Sequence, residues 1–170
     1  MMPKGPGNEE FERWFRSLYP RAYGIALRIV ETPAEAEDAA AEAFSRALLR
    51  WRRVSDLDYR DAWLLRVTAN VAIDVVRRRR RAPVVSSVVE APASDPEDRL
   101  YLLSALATLP PRQRDVLVLR YFVDLTDEDI ARCLSMAGGT VKAHVHRGLV
   151  RLRRSFAVNG EEVPVALDAH

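Results

Sequence analysis

Apolar residues recur along most of this chain at three- and four-residue steps, the period of helices with one buried face. Phe11, Trp14, Phe15 and Leu18 begin the series, on a helix that the pattern starts at Asn8. Pro20 is expected to break or kink it, because proline lacks an N–H and crowds the preceding turn. The pattern resumes with Ala22, Ile25, Ala26 and Ile29. Thr32-Pro33-Ala34-Glu35 is a start signal: a Thr cap, Pro at the first helical position and Glu at the third. The helix it opens carries Ala36, Ala40, Ala43, Phe44, Ala47, Leu48 and Trp51 on its expected buried face. So many alanines imply a close helix–helix approach. Residues 54–59 read as a short polar loop. Asp58 is the expected cap of a further helix, with Leu64, Val67, Val71 and Val75 inward.

That helix runs into five consecutive arginines, Arg77 to Arg81. Residues 82–95 are rich in proline, serine and small residues, carry no helical face and read as a flexible linker. Strand signals are confined to Val84-Val85 and Val88-Val89. Asp95-Pro96 then opens a helix with Leu100, Leu103, Leu106 and Leu109. From Leu109 to Arg154 the chain describes two short helices, a tight turn and a long basic helix. Thr126 is a candidate cap with Asp129 three residues on, followed by Ile130, Ala131 and Leu134 as an apolar face. Ser135 to Gly138 is the turn. The last helix, from Gly139, aligns Val141, Val145, Leu149, Leu152 and Phe156. The expected fold is all-α: a helical bundle at 8–81, the linker 82–95, a second helical domain at 96–156 and a short tail, 157–170.

Composition adds bounds. A chain of 170 residues, nearly half of them apolar, suffices for two small cores. The net charge of +2 hides a strong pattern: the arginine run is followed by Glu90, Asp95, Glu97 and Asp98. The one cysteine, Cys133, excludes an internal disulfide and fits a reducing compartment. No apolar run approaches the ~20 residues of a membrane span, and no apolar stretch follows Lys4 as a signal peptide would need. The expected location is the cytoplasm, without membrane insertion. No nucleophile elbow, phosphate loop or dinucleotide fingerprint occurs, so neither enzyme activity nor a cofactor is expected. Cys133, His144 and His146 do not have zinc spacing.

A short helix, a Gly-containing turn and an amphipathic basic helix are the parts of a helix-turn-helix. No acid occurs from Thr140 to Gly160, which suits a partner as densely negative as duplex DNA. Here the sequence resembles region 4 of bacterial RNA polymerase sigma factors. The likeness is carried by Leu109-Pro110-Pro111-Arg112-Gln113-Arg114, Ile130-Ala131, Leu134, Gly139-Thr140-Val141-Lys142, Arg147-Gly148-Leu149 and Arg151-Leu152-Arg153. The N-terminal half resembles region 2 of the compact extracytoplasmic-function (ECF) type. There the matching residues are Phe11, Tyr19-Pro20, Ala36-Glu37-Asp38, Glu42-Ala43-Phe44, Arg50-Trp51, Ala62-Trp63-Leu64, Asn70, Asp74 and the arginine run. Two positions depart from the family: Ser135 replaces a turn glycine, and Ala137 replaces a serine cap.

The resemblance implies a transcription initiation subunit that binds core polymerase and promoter DNA. Its last helix would read the −35 element through Thr140, Lys142, His146, Arg147 and Arg151. Its first domain would melt and hold the −10 element through Tyr59, Trp63, Arg66, Asn70, Arg77 and Arg78. Aromatic faces and basic grooves are the chemistry that holds unstacked bases. On spacing alone, though, Trp14, Trp51 and Trp63 read as core residues. The acidic row Glu35, Asp38 and Glu42 would dock on the polymerase β′ coiled coil, and the second domain on the β flap. An anti-sigma factor is a further candidate partner. Ala39-Ala40-Ala41, in place of larger family residues, implies fewer contacts with polymerase. The alternative is a free-standing helix-turn-helix regulator, which would need no melting module.

Overall fold

The computed structural model describes residues 6–30, 32–81 and 96–159. Among them are eight helices and no strand: α1 (Pro6–Ile29), α2 (Pro33–Leu49), α3 (Trp51–Val54), α4 (Arg60–Arg81), α5 (Pro96–Thr108), α6 (Pro111–Tyr121), α7 (Asp127–Leu134) and α8 (Gly138–Asn159). The chain divides into two compact units, Met1–Ala72 and Ile73–His170, and the division falls within α4. The linker expected at 82–95, with its valine pairs, and the tail from residue 160 lie outside the described residues.

In the first unit α1 continues through Pro20, so the expected break does not occur. Pro20 lies on the exposed side, where one lost backbone bond is cheap. Phe11, Trp14, Leu18, Ala22, Ile25 and Ile29 meanwhile form one unbroken buried stripe. The Thr32 hydroxyl caps α2 as expected, accepting the Glu35 N–H at 3.3 Å and donating to the Glu35 carboxylate at 2.9 Å. Ala36, Ala39, Ala40, Ala43 and Ala47 are all buried. Two expectations fail at the helix end. Leu48 is 41% exposed, because it lies about 100° around the helix from Ala47. Trp51 belongs to α3, since α2 closes with the Arg50 N–H on the Ala47 and Leu48 carbonyls.

An aromatic cluster fills the open end of the α1–α2 pair. Phe11, Trp14 and Phe44 meet edge to face, and Trp51 packs 5.1 Å from Phe11 and 5.2 Å from Trp14. The Trp14 indole N–H donates to Asp61 at 2.5 Å, and Arg60 pairs with Glu10 at 2.9 Å. These contacts fix the start of α4. Its first turn closes on the Tyr59 carbonyl, so Tyr59, not Asp58, holds the cap position. The buried face is also rotated from the valine stripe. Leu64, Leu65, Thr68, Ala69, Val71, Ala72 and Ile73 are buried, whereas Val67 and Val75 are half-buried. Thr68 is tolerated there because its hydroxyl donates to the Leu64 carbonyl at 3.0 Å.

In the second unit Tyr101 of α5 donates to the Ser155 carbonyl at 2.6 Å and packs edge-on to Phe156. An Arg120–Asp127 ion pair joins the end of α6 to the start of α7. α8 passes α6 at Gly148, where a methyl group would come within 2.9 Å of the buried Leu117 Cδ1. Overpacking of this kind costs about 1–3 kcal/mol. Gly148→Val is therefore expected to destabilise the second unit by that amount in urea denaturation. Gly24, inside α1, has no neighbour within 4 Å of an added Cβ. Gly24→Ala should instead stabilise by about 0.5–1 kcal/mol, the helix-propensity gain. Equal effects from both substitutions would contradict the close approach at Gly148.

Candidate nucleic-acid interface

The basic face is set by the turn that precedes it. α7 ends with Ser135 in the left-handed region, φ 50° and ψ 52°. The Met136 N–H reaches the Ala131 carbonyl at 2.9 Å and the Ser135 N–H reaches Arg132 at 3.2 Å, a Schellman closure that usually takes glycine. The Ala137 carbonyl accepts from Thr140 and Val141, at 2.9 and 3.2 Å. Ala137 therefore holds the N-cap position of α8 with no side chain to cap it. At the start of α7 the Thr126 hydroxyl donates to Asp129 at 2.8 Å and accepts its N–H at 3.2 Å. That hydroxyl, with Arg132 adding to it, holds the Asp129 carboxyl below the usual carboxylate range.

With Val141, Gly148, Leu149, Leu152 and Phe156 buried, α8 turns its other side outward. Lys142, His146, Arg147, Arg151 and Arg154 are exposed there, and Thr140 is half-exposed. The Arg147 Nε donates back to the Ala143 carbonyl at 3.1 Å, so its guanidinium is drawn along its own helix. On the wheel Gly139, Ala143 and Val150 lie near the middle of this outward side. Sequence reading passed over these three because it looked for cations.

Tyr59, at the cap, and Trp63, Arg66 and Asn70 follow at four-, three- and four-residue steps and are all half-exposed, so they form one stripe from the cap along α4. Trp63 is thus not the core residue its spacing suggested, whereas Trp14 is. Trp51 is half-buried in the aromatic cluster. Arg77 and Arg78 lie further along the helix, in the second unit; Arg77 sits 3.5 Å from Asp74 and Arg78 is exposed. Exposed Arg52, Arg53 and Leu57 also border Tyr59 in sequence.

The acidic row of α2 is uneven. Asp38 and Glu42 are exposed, and Glu42 pairs with Arg46 at 2.8 Å. Glu35 is half-buried and engaged in capping. Ala39 and Ala40 are buried against the core while Ala41 alone of the three is exposed. Two of those alanines therefore set the helix spacing and do not thin a partner surface. Among the described residues no group of His, Cys, Asp or Glu could hold a metal, and no helix is long and apolar enough to cross a membrane.

Known proteins share this layout. Residues 14–82 match the Sigma-70 region 2 family and residues 105–154 match the Sigma-70, region 4 family. The RNA polymerase sigma-E factor of Streptomyces coelicolor is 36% identical over 152 residues, with 86% of each chain covered. The ECF RNA polymerase sigma factor SigW of Bacillus subtilis is 30% identical over 158 residues, covering 80% of this chain and 83% of that one. The fold is that of the sigma factor RpoE of Bartonella quintana, solved in complex with the anti-sigma factor NepR. That match has a TM-score of 0.51 at 24% identity and covers 88% of this chain and 98% of that one. The chain belongs to the sigma-70 family, as an ECF-type sigma factor with regions 2 and 4. Its function is to direct promoter-specific transcription initiation, and the free-standing regulator is not favoured.

The turn geometry has a measurable consequence. A non-glycine residue in the left-handed region costs roughly 1–2 kcal/mol, and a missing cap about 0.5–2 kcal/mol. Ser135→Gly and Ala137→Ser should each raise the stability of the second unit by about 1 kcal/mol. Urea denaturation of the two single variants and the double variant checks this. No gain at position 137 would mean that the helix start is satisfied in some other way.

Proposed function

We propose that region 4 reads the −35 element with the outward side of α8 and that region 2 melts and holds the −10 element with the α4 stripe. The observation that carries this reading is the exposed, acid-free side of α8, which suits a polyanion. Thr140, Lys142, His146, Arg147 and Arg151 lie where a recognition helix meets the major groove. Lys142 and Arg147 contact base edges or phosphates, and Arg151 reaches the backbone. Tyr59 and Trp63 offer stacking faces, Asn70 an amide N–H donor for a base edge, and Arg66, Arg77 and Arg78 charge for the strand. Asp38 and Glu42, with Glu35 at the edge, form the surface for core polymerase. The protein acts in the cytoplasm, without enzymatic activity or cofactor, and an anti-sigma factor would compete for these surfaces. Run-off transcription with purified core polymerase and genomic templates tests the whole reading. Specific transcripts should require both components.

Charge reversal separates the polymerase surface from the fold. Asp38→Arg with Glu42→Arg should abolish co-purification with core polymerase while leaving thermal stability near wild type. Substitutions on a solvated face usually move stability by no more than about 0.5 kcal/mol, whereas like charges meeting across an interface cost far more. Normal co-purification of the double variant would refute the assignment of this face.

Asn70→Ala is expected to act after the closed complex forms. Permanganate footprinting should then show a promoter that is bound but not opened. Wild-type opening by this variant would remove Asn70 from the −10 site.

A further inference from the structure

The outward side of α2 holds more than acids. Glu35, Asp38, Glu42, Ser45 and Leu49 follow at alternating three- and four-residue steps, the spacing of a seam that faces a neighbouring helix. The opposite side of α2 is already buried through its alanines and Phe44. Asp38, Glu42, Ser45 and Leu49 all face solvent. Leu49 is 86% exposed, against 38–42% for Leu27, Leu48 and Leu57. A single exposed leucine needs no explanation. One that ends a helix–helix seam, beside the half-exposed Leu48, has the form of an unburied contact residue.

The seam also states the chemistry of its partner. Its first part is acidic and its end is apolar, with exposed Arg50, Arg52 and Arg53 just beyond. A complementary helix carries basic residues opposite Asp38 and Glu42, an apolar patch opposite Leu49 and no cation past that point. We propose that Leu49 is the apolar anchor of the polymerase-binding surface, closed over by an amphipathic basic helix of core polymerase that also meets Asp38 and Glu42. This rests on the reading of the acidic face given above. It adds a desolvated contact, the kind that carries most binding energy, to charges that mainly guide encounter.

The test titrates purified core polymerase into the full chain labelled at its N-terminus and reads fluorescence anisotropy. Leu49→Ser should weaken binding about tenfold or more, the factor expected when a fully buried leucine side chain is lost. Leu49→Met should stay within about threefold, since that exchange conserves volume and apolarity. Leu27→Ser, on α1, should bind as wild type, and all three should melt with wild-type cooperativity. Wild-type binding by Leu49→Ser, with binding lost in the Asp38→Arg, Glu42→Arg variant, overturns the anchor and leaves the acidic surface standing. Wild-type binding by both overturns the surface as well. A loss in Leu27→Ser equal to that in Leu49→Ser also overturns the anchor, because the effect would then be general to exposed leucines.

Discussion

The first unit depends on the burial of Trp14. Its ring is 5% exposed and packs against Phe11, Phe44 and Trp51. A buried indole N–H left without an acceptor would cost about 1–3 kcal/mol, and Asp61 is the acceptor at hand. Asp61 stands in the first turn of α4, next to Arg60, whose guanidinium lies 5.9 Å from both tryptophan rings while it holds Glu10. The core tryptophan of α1 thereby fixes where α4 begins and which way its first turns face. Tyr59, Trp63, Arg66 and Asn70 take their common stripe from that placement. The direction in which that stripe faces is thus set by an interaction among residues outside it.

Gly148 has the corresponding role in the second unit. Without a side chain there, α8 settles against Leu117, and Val141, Leu149, Leu152 and Phe156 turn inward together. Lys142, His146, Arg147, Arg151 and Arg154 are left facing out. The departures at Ser135 and Ala137 act on a different quantity. The closure around Ser135 makes its backbone bonds in full, so the direction of the turn is kept. What is lost is stability at the helix start, not the orientation of the cations.

Much of this was legible in the sequence, and the failures have physical causes. Caps with a specific residue at a fixed offset, such as Thr32 with Glu35 and Thr126 with Asp129, read correctly because the signal is local. On the inward face of α8, Val141, Leu149, Leu152 and Phe156 are buried as expected, because a run of apolar residues unbroken by polar ones is a strong signal, while Val145 at its edge is half-buried. In α4 the buried centre includes Thr68, Ala69 and Ala72, whose small or polar character hid it behind a valine stripe at its edge. Leu48 misled because hydrophobicity says that a residue can be buried, not that anything is there to bury it. Pro20 misled because a local rule about backbone bonding was outweighed by a long buried stripe. The left-handed Asp124 in the α6–α7 connection carried no readable signal, since aspartate is common in turns of every kind.

The small residues also explain how one chain of net charge +2 can serve two unlike partners. Alanines on α2 and a glycine on α8 let each helix sink its inner face deeply, which leaves the outer face free of any duty to the core. On α2 that face carries Glu37, Asp38 and Glu42; on α8 it carries Lys142, Arg147, Arg151 and Arg154 and no acid. Duplex DNA, with one charge per about 1.7 Å of axis, is repelled by the first and drawn to the second. A basic protein surface is sorted the opposite way. The sign of the outer face therefore differs between the two helices: acidic on α2, with Arg46 paired to Glu42, and basic on α8.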